Sequence, residues 1–169
     1  MLASAIYFAE GLEAGEPFDN ETRLYFDTTF LIYALGYAGE NQQKPCLELI
    51  NLLKELNAKL YYFEHTKSEI ENVLRKCKQN IENGIFNDKY GTTQYLYYSF
   101  KTTYKQMIDL LVEELEKSLE EIGIYCDYIS LDFVDQDNEA RNIINRHVRY
   151  STVEALDNDV KSYNYIQML

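Results

Sequence analysis

The side chains in this sequence best placed to do chemistry are carboxylates, and the first of them is Asp27. It ends the apolar run Leu24, Tyr25 and Phe26, which has the character of a strand buried in a parallel sheet. Thr28 and Thr29 follow and can cap a helix carried forward by Phe30, Leu31, Ile32, Tyr33 and Leu35 to a stop at Gly36. A carboxylate at the carboxyl end of a strand, just before a helix, lies on the edge where open α/β sheets bind ligands. Burying that charge is costly unless a cation or a hydrogen-bond donor compensates it. The structural alternative is that Asp27 simply caps the helix. Glu69 is the second candidate, one turn into a helix expected over about 67–82. Thr66 and Glu69 have capping-box spacing, and a capping carboxylate can still face a ligand. Asp157 and Asp159 lie on the last expected helix, at opposite borders of its apolar stripe for a rotation of roughly 100° per residue. Border positions suit a carboxylate reaching into a cleft, and they equally suit a solvated flank.

The elements that must position these acids read as β-α-β. Ile6, Phe8, Ala9 and Leu12 predict a helix over 3–14, followed by a turn-rich connector over 15–22. A strand over about 24–27 leads into a helix ending near 35, then a polar loop over 36–43. Pro45 is expected to open the next helix, whose stripe is Leu47, Leu49, Ile50, Leu52, Leu53 and Leu56. Lys59–Phe63 reads as a second strand, parallel to the first through a right-handed crossover, so both carboxyl ends share one edge. Ile70, Val73, Leu74, Cys77 and Ile81 form the inner face of the helix over 67–82. A loop over 83–92 precedes one long helix over about 93–122. Residues 124–134 read as a short strand or extended linker, and helical patterning returns near 136–148. Ser151 and Glu154 form a second capping-box pair before a final helix with Val153, Leu156, Val160 and Tyr163 on one face. The expected fold class is α/β: a small parallel sheet surrounded by many helices. The expected layout is a single domain over 1–169, with an N-terminal helical extension over about 1–21 and a helical insertion over about 84–150.

Composition narrows the classes. With 169 residues, 46% of them hydrophobic, the chain can build one globular core. No apolar run approaches the roughly 20 residues of a membrane span, and the N-terminal stretch carries acids without a basic leader. A cytoplasmic location with no membrane partner is therefore expected. Cys46, Cys77 and Cys126 are widely spaced and the only histidines are His65 and His147, so a zinc site is not indicated. No glycine-rich phosphate loop follows either strand. The net charge of −12 opposes binding to a phosphate backbone unless divalent cations, a partner or a local basic cluster inverts the field. The 16 tyrosines can stack on bases or fill core and surface.

Three segments carry a family resemblance. FDTTFLIYALG (26–36) resembles the opening strand and first acid of the PIN-domain nucleases, with their D-T/S-x-x-L/I motif. TKSEIENVL (66–74) is similar to the helix bearing the second acid, and NDVKSYNYI (158–166) to the helix bearing the third. The resemblance implies a metal-dependent nuclease acting on nucleic acid, RNA in particular. Asp27, Glu69 and Asp159 would hold two Mg²⁺ or Mn²⁺ ions about 4 Å apart, with Asp157 as the reserve third acid. Thr28 would hydrogen-bond a metal-bound carboxylate or water. The long helix over 93–122 resembles an arm used for dimerisation or for gripping substrate. The family pattern continues with further parallel strands and a fourth acid after a T-x-D/N turn, which this sequence lacks, so a truncated domain is expected. A catalytically inactive module that dimerises or binds a protein partner is the rival class.

Overall fold

Aromatic and apolar side chains at Lys59–Phe63 form strand β2, with Leu60, Tyr62 and Phe63 buried. It pairs in parallel with β1, Arg23–Tyr25, in the register Arg23↔Lys59, Leu24↔Leu60 and Tyr25↔Tyr61. A third strand, β3 at Tyr125–Asp127, completes a small parallel sheet of order β1-β2-β3. The computed structural model describes residues 17–18, 22–128, 141, 144 and 153–168. Its described residues fall into two compact units: one runs to Tyr62 and resumes over Thr66–Cys126, and the other comprises Phe63–His65 and the residues from Asp127 onward. The helix expected over 3–14 and Ser151 lie outside the described residues, as does the segment 136–148 apart from Arg141 and Ile144.

Along the chain, β1 is followed by helix α1 (Thr28–Ala34), α2 (Glu40–Glu55), β2, and α3 (Glu64–Glu82), all in the first unit except Phe63–His65. Leu31, Ile32, Ile50, Leu53, Leu60, Tyr62, Ile70 and Leu74 close into one core, so the β-α-β reading holds in order, but of the stripe expected on α2 only Ile50 and Leu53 are buried and Leu52 is exposed. Helix α2 begins five residues before Pro45, which corrects the expectation that the proline opens it. Gly39 is the N-cap at φ 99°, and its carbonyl accepts the amides of Gln42 and Gln43 at 3.2 and 3.1 Å. Pro45 is exposed and forfeits only its own amide bond to the preceding turn, a loss that a helix with so broad an apolar stripe sustains.

The helix expected over 93–122 is broken. It comprises α4 (Thr92–Phe100), a 3₁₀ turn (Lys101–Thr103), α5 (Tyr104–Glu113) and α6 (Leu115–Glu121). At the first break Lys101 takes φ 47° and the Thr103 hydroxyl donates to the Phe100 carbonyl at 2.8 Å. Aromatic, serine and threonine residues over 97–103 favour such competing local bonds over a continuous helical ladder. Leu96, Ile108, Leu115 and Leu119 stay buried in the same core as Leu31 and Ile70. The segment is therefore packed into the domain and does not project as an arm. Gly123 (φ 78°) turns the chain into β3 where the Lys54 side chain crosses it to reach the Ile122 carbonyl at 2.6 Å. The positive φ favours glycine at this turn, since an L side chain there would be strained whatever the space around it.

In the second unit, helix α7 (Val153–Met168) buries Leu156 and Val160 as expected. Val153 and Tyr163 are exposed, and Tyr165 is buried in their stead with its ring edge-on to Phe63 at 6.0 Å. Periodicity tells which residues share a helix face; it does not tell which faces are covered.

Because Ile108 is fully buried, Ile108→Ala is expected to lower unfolding free energy by about 2–5 kcal/mol in urea denaturation. On a solvent-projecting arm the same change would stay within about 0.5 kcal/mol.

Candidate functional site

Asp27 is the N-cap of α1. Its backbone is extended (φ −81°, ψ 167°), and its Oδ1 accepts the Phe30 amide at 2.8 Å. Strand β1 stops at Tyr25, two residues earlier than expected, although the Phe26 amide still donates to the Tyr61 carbonyl at 3.0 Å. One more step of the chain carries Asp27 off the sheet edge into solvent. Among the described residues the Phe30 amide is its hydrogen-bond partner, which leaves Oδ2 without one. The capping reading therefore holds, and one oxygen remains available for a ligand.

Thr28, the first residue of α1, is buried and donates its hydroxyl to Oε2 of Glu69 on α3. The two residues are 41 apart in sequence. Helix α3 starts at Glu64 with no loop after β2, three residues before the expected start. Thr66 is thus a buried residue inside the first turn and not the N-cap of a capping box with Glu69. The early start places Glu69 in the second turn, where a half-buried carboxylate meets the Thr28 hydroxyl. The β1–α1 turn that bears Asp27 and the helix that bears Glu69 are joined there by a charge-assisted hydrogen bond.

Two neighbours define the local electrostatics. Burial, and secondly the negative charge of Asp27, push the Cys46 thiol up, so Cys46 stays protonated beside the turn. Lys67, two residues before Glu69, contacts Glu116 at 2.5 Å. That bond leads the effects holding its ammonium above the usual lysine range. Glu116 precedes Lys117 on α6, so the pair ties α3 to α6.

The remaining candidates belong to the second unit. Asp157 is engaged by Arg141 at 2.5 Å, with both side chains roughly three-quarters buried. An acid already neutralised by a guanidinium is a poor cation ligand, so Asp157 is not suited to the reserve role. Asp159 is exposed and lies within electrostatic reach of His65. Burial pushes the His65 imidazole below its ordinary value, against the opposing pull of Asp159, and its ring stacks on Phe63 at 5.5 Å. Sequence reasoning did not single out Asp127, a buried carboxylate at the last position of β3. The signal for it was present: Ile124-Tyr-Cys-Asp127 repeats the apolar run ended by an acid that marks Asp27. Among the described residues, no three His, Cys, Asp or Glu side chains are grouped closely enough to hold a metal ion by protein ligands alone.

No protein-family model, curated protein or solved structure matches the chain.

Removing the hydroxyl with Thr28→Val is expected to cost about 1–2 kcal/mol, because the half-buried Glu69 carboxylate loses one donor. In a double-mutant cycle with Glu69→Gln, chemical denaturation should give a coupling energy of about 1 kcal/mol. Strict additivity would show that the two side chains do not meet.

Proposed function

We propose that the chain is a divalent-cation-dependent endoribonuclease of the PIN-like kind, with Asp27 and Glu69 as metal-binding carboxylates beside the carboxyl ends of β1 and β2. The observation that supports this reading is the Thr28–Glu69 hydrogen bond, which ties the residue next to Asp27 to the second predicted acid, 41 residues away. The donor set fits Mg²⁺ or Mn²⁺: it is all oxygen, and Mg²⁺ characteristically binds through one or two carboxylates while keeping several waters. Asp159 and the RNA substrate enter the proposal from the sequence resemblance alone.

Each residue has a distinct task. The Phe30 amide fixes Asp27 through Oδ1 and turns Oδ2 outward. Thr28 holds one oxygen of Glu69 and thereby sets the orientation of the other. A bound cation supplies Lewis-acid stabilisation of the phosphodiester and lowers the pKa of an attacking water. It also offsets the field of a chain with net charge −12, which otherwise repels phosphate. A second reading, a catalytically inactive interaction or dimerisation module, is favoured by the exposure of Val153, Tyr163 and Ile166 on α7.

Asp27→Asn separates these readings. Asparagine caps helices as well as aspartate does, so the thermal midpoint should move by no more than about 2 °C. Mn²⁺-dependent cleavage of RNA should fall at least about 100-fold, while Asp157→Asn should leave it near wild type. An Asp27→Asn variant that cleaves normally refutes the assignment, and wild type that binds no Mn²⁺ by calorimetry favours the interaction module.

A further inference from the structure

The segment 83–106 differs in character from the rest of the chain. It holds Phe86, Tyr90, Tyr95, Tyr97, Tyr98, Phe100 and Tyr104, and its charged residues are Lys89, Lys101 and Lys105 against Asp88. The charge of Asp88 faces inward: burial would raise its pKa, but the Thr93 hydroxyl and the amides of Thr93, Tyr90 and Thr92 outweigh that and hold it low. This acidic chain therefore has a locally basic, aromatic stretch. Lys89 lies over the Tyr90 ring at 5.0 Å. Lys105 is shared between Glu82 at 2.6 Å and the Tyr104 ring. Lys101 is exposed at the break between α4 and α5, with no acidic partner among the described residues.

The aromatic rings form a supported surface. Asp88 anchors the loop and the start of α4, where Thr92 and Thr93 are fully buried. Phe86 packs on Tyr97 at 4.8 Å, and Tyr97 meets Tyr98 at 5.5 Å. Tyr95 and Tyr98 are three residues apart on α4 and therefore share a face. Tyr98 is 65% exposed and Tyr95 37%, and Ile85 and Phe86 in the preceding loop are exposed as well. An aromatic surface left this open is costly in water unless a ligand covers it. Exposed rings interleaved with lysines match what single-stranded nucleic acid uses: stacking for the bases and cations for the backbone.

We infer that the face of α4 carrying Tyr95 and Tyr98, with Lys89 and Lys101 at its margins, is a docking platform for single-stranded RNA. The inference rests on the nuclease reading proposed above and supplies the substrate grip that the net charge otherwise denies it. A link to the acids exists in the same unit. The Tyr95 ring lies 3.3 Å from where a Cβ on Gly39 would stand, so it packs on the turn that follows α1. Helix α1 starts beside Asp27 and, with seven residues, is about 10 Å long. Gly39 follows the far end of α1 from Asp27, so a strand stacked on Tyr95 would run at least the length of that helix to reach the acid.

The test is fluorescence anisotropy of an end-labelled oligouridylate with the full chain in EDTA, where no metal-dependent cleavage occurs. Wild type should bind with strong salt dependence. Tyr98→Ala and Tyr95→Ala should each weaken binding about tenfold, and Tyr98→Phe should restore it. Lys101→Glu should weaken binding and reduce the salt slope by about one. Tyr163→Ala, an exposed tyrosine in the second unit, should leave binding unchanged. Circular dichroism melts of the Tyr98, Lys101 and Tyr163 variants should superimpose on wild type. No wild-type binding, equal loss with Tyr163→Ala, or affinity unmoved by both Tyr98→Ala and Lys101→Glu overturns the platform. Mn²⁺-dependent cleavage that survives while oligouridylate binding fails sinks the platform alone; binding that survives without cleavage sinks the nuclease reading alone.

Discussion

The contact between the Thr28 hydroxyl and the Glu69 carboxylate is the constraint on which the arrangement of the first unit depends. Thr28 is buried at the start of α1, and a buried hydroxyl without a partner costs on the order of 1–3 kcal/mol. Glu69 faces a similar demand, since a half-buried carboxylate needs a donor. The two meet across 41 residues of sequence, with α3 following β2 without a loop and α1 starting three residues after the end of β1. Apolar packing makes that geometry rigid: Ile70, Leu74, Cys77 and Ile81 bury one face of α3 in the core. Lys67–Glu116 and Lys78–Asp109 brace its outer side as partly exposed ion pairs, each contributing little by itself.

A carboxylate edge and a net charge of −12 are at first sight ill suited to a polyanionic substrate. The charge is unevenly distributed, however. Glu113, Glu114, Glu116, Glu120 and Glu121 crowd the end of α5 and α6, whereas α4 and its flanks carry lysines and rings. A cation held by Asp27 and Glu69 would lower the repulsion at the reacting phosphate, and the α4 face would hold the strand through ring stacking and its local lysines. On the proposed reading, the two requirements fall to different parts of one unit.

Much of this was legible in the sequence, and the failures have physical reasons. Lys59–Phe63 was readable to the residue because both its neighbours bury it. The order of elements and the buried positions of α3 followed from periodicity. The start of α3 was misread because the Thr66–Glu69 spacing mimics a capping box, while the chain passes from strand to helix without a loop. The helix over 93–122 was misread as continuous because its apolar spacing survives the break at Lys101, where local serine and threonine bonds decide the backbone. Asp157 and Asp159 occupy comparable border positions on the helical wheel, and the pairing of Asp157 with Arg141, 16 residues away in sequence, has no local signal. The Thr28–Glu69 bond itself spans 41 residues, and no local pattern encodes it.

The most direct test of the central claim is the mapping of Mn²⁺ by paramagnetic broadening of backbone amide signals at substoichiometric metal. The account predicts that signals from Asp27 to Thr29 and around Glu69 disappear first, and that Glu69→Gln suppresses both sets together. Broadening centred on the glutamates of α6, or spread evenly over the acidic surface, would contradict it.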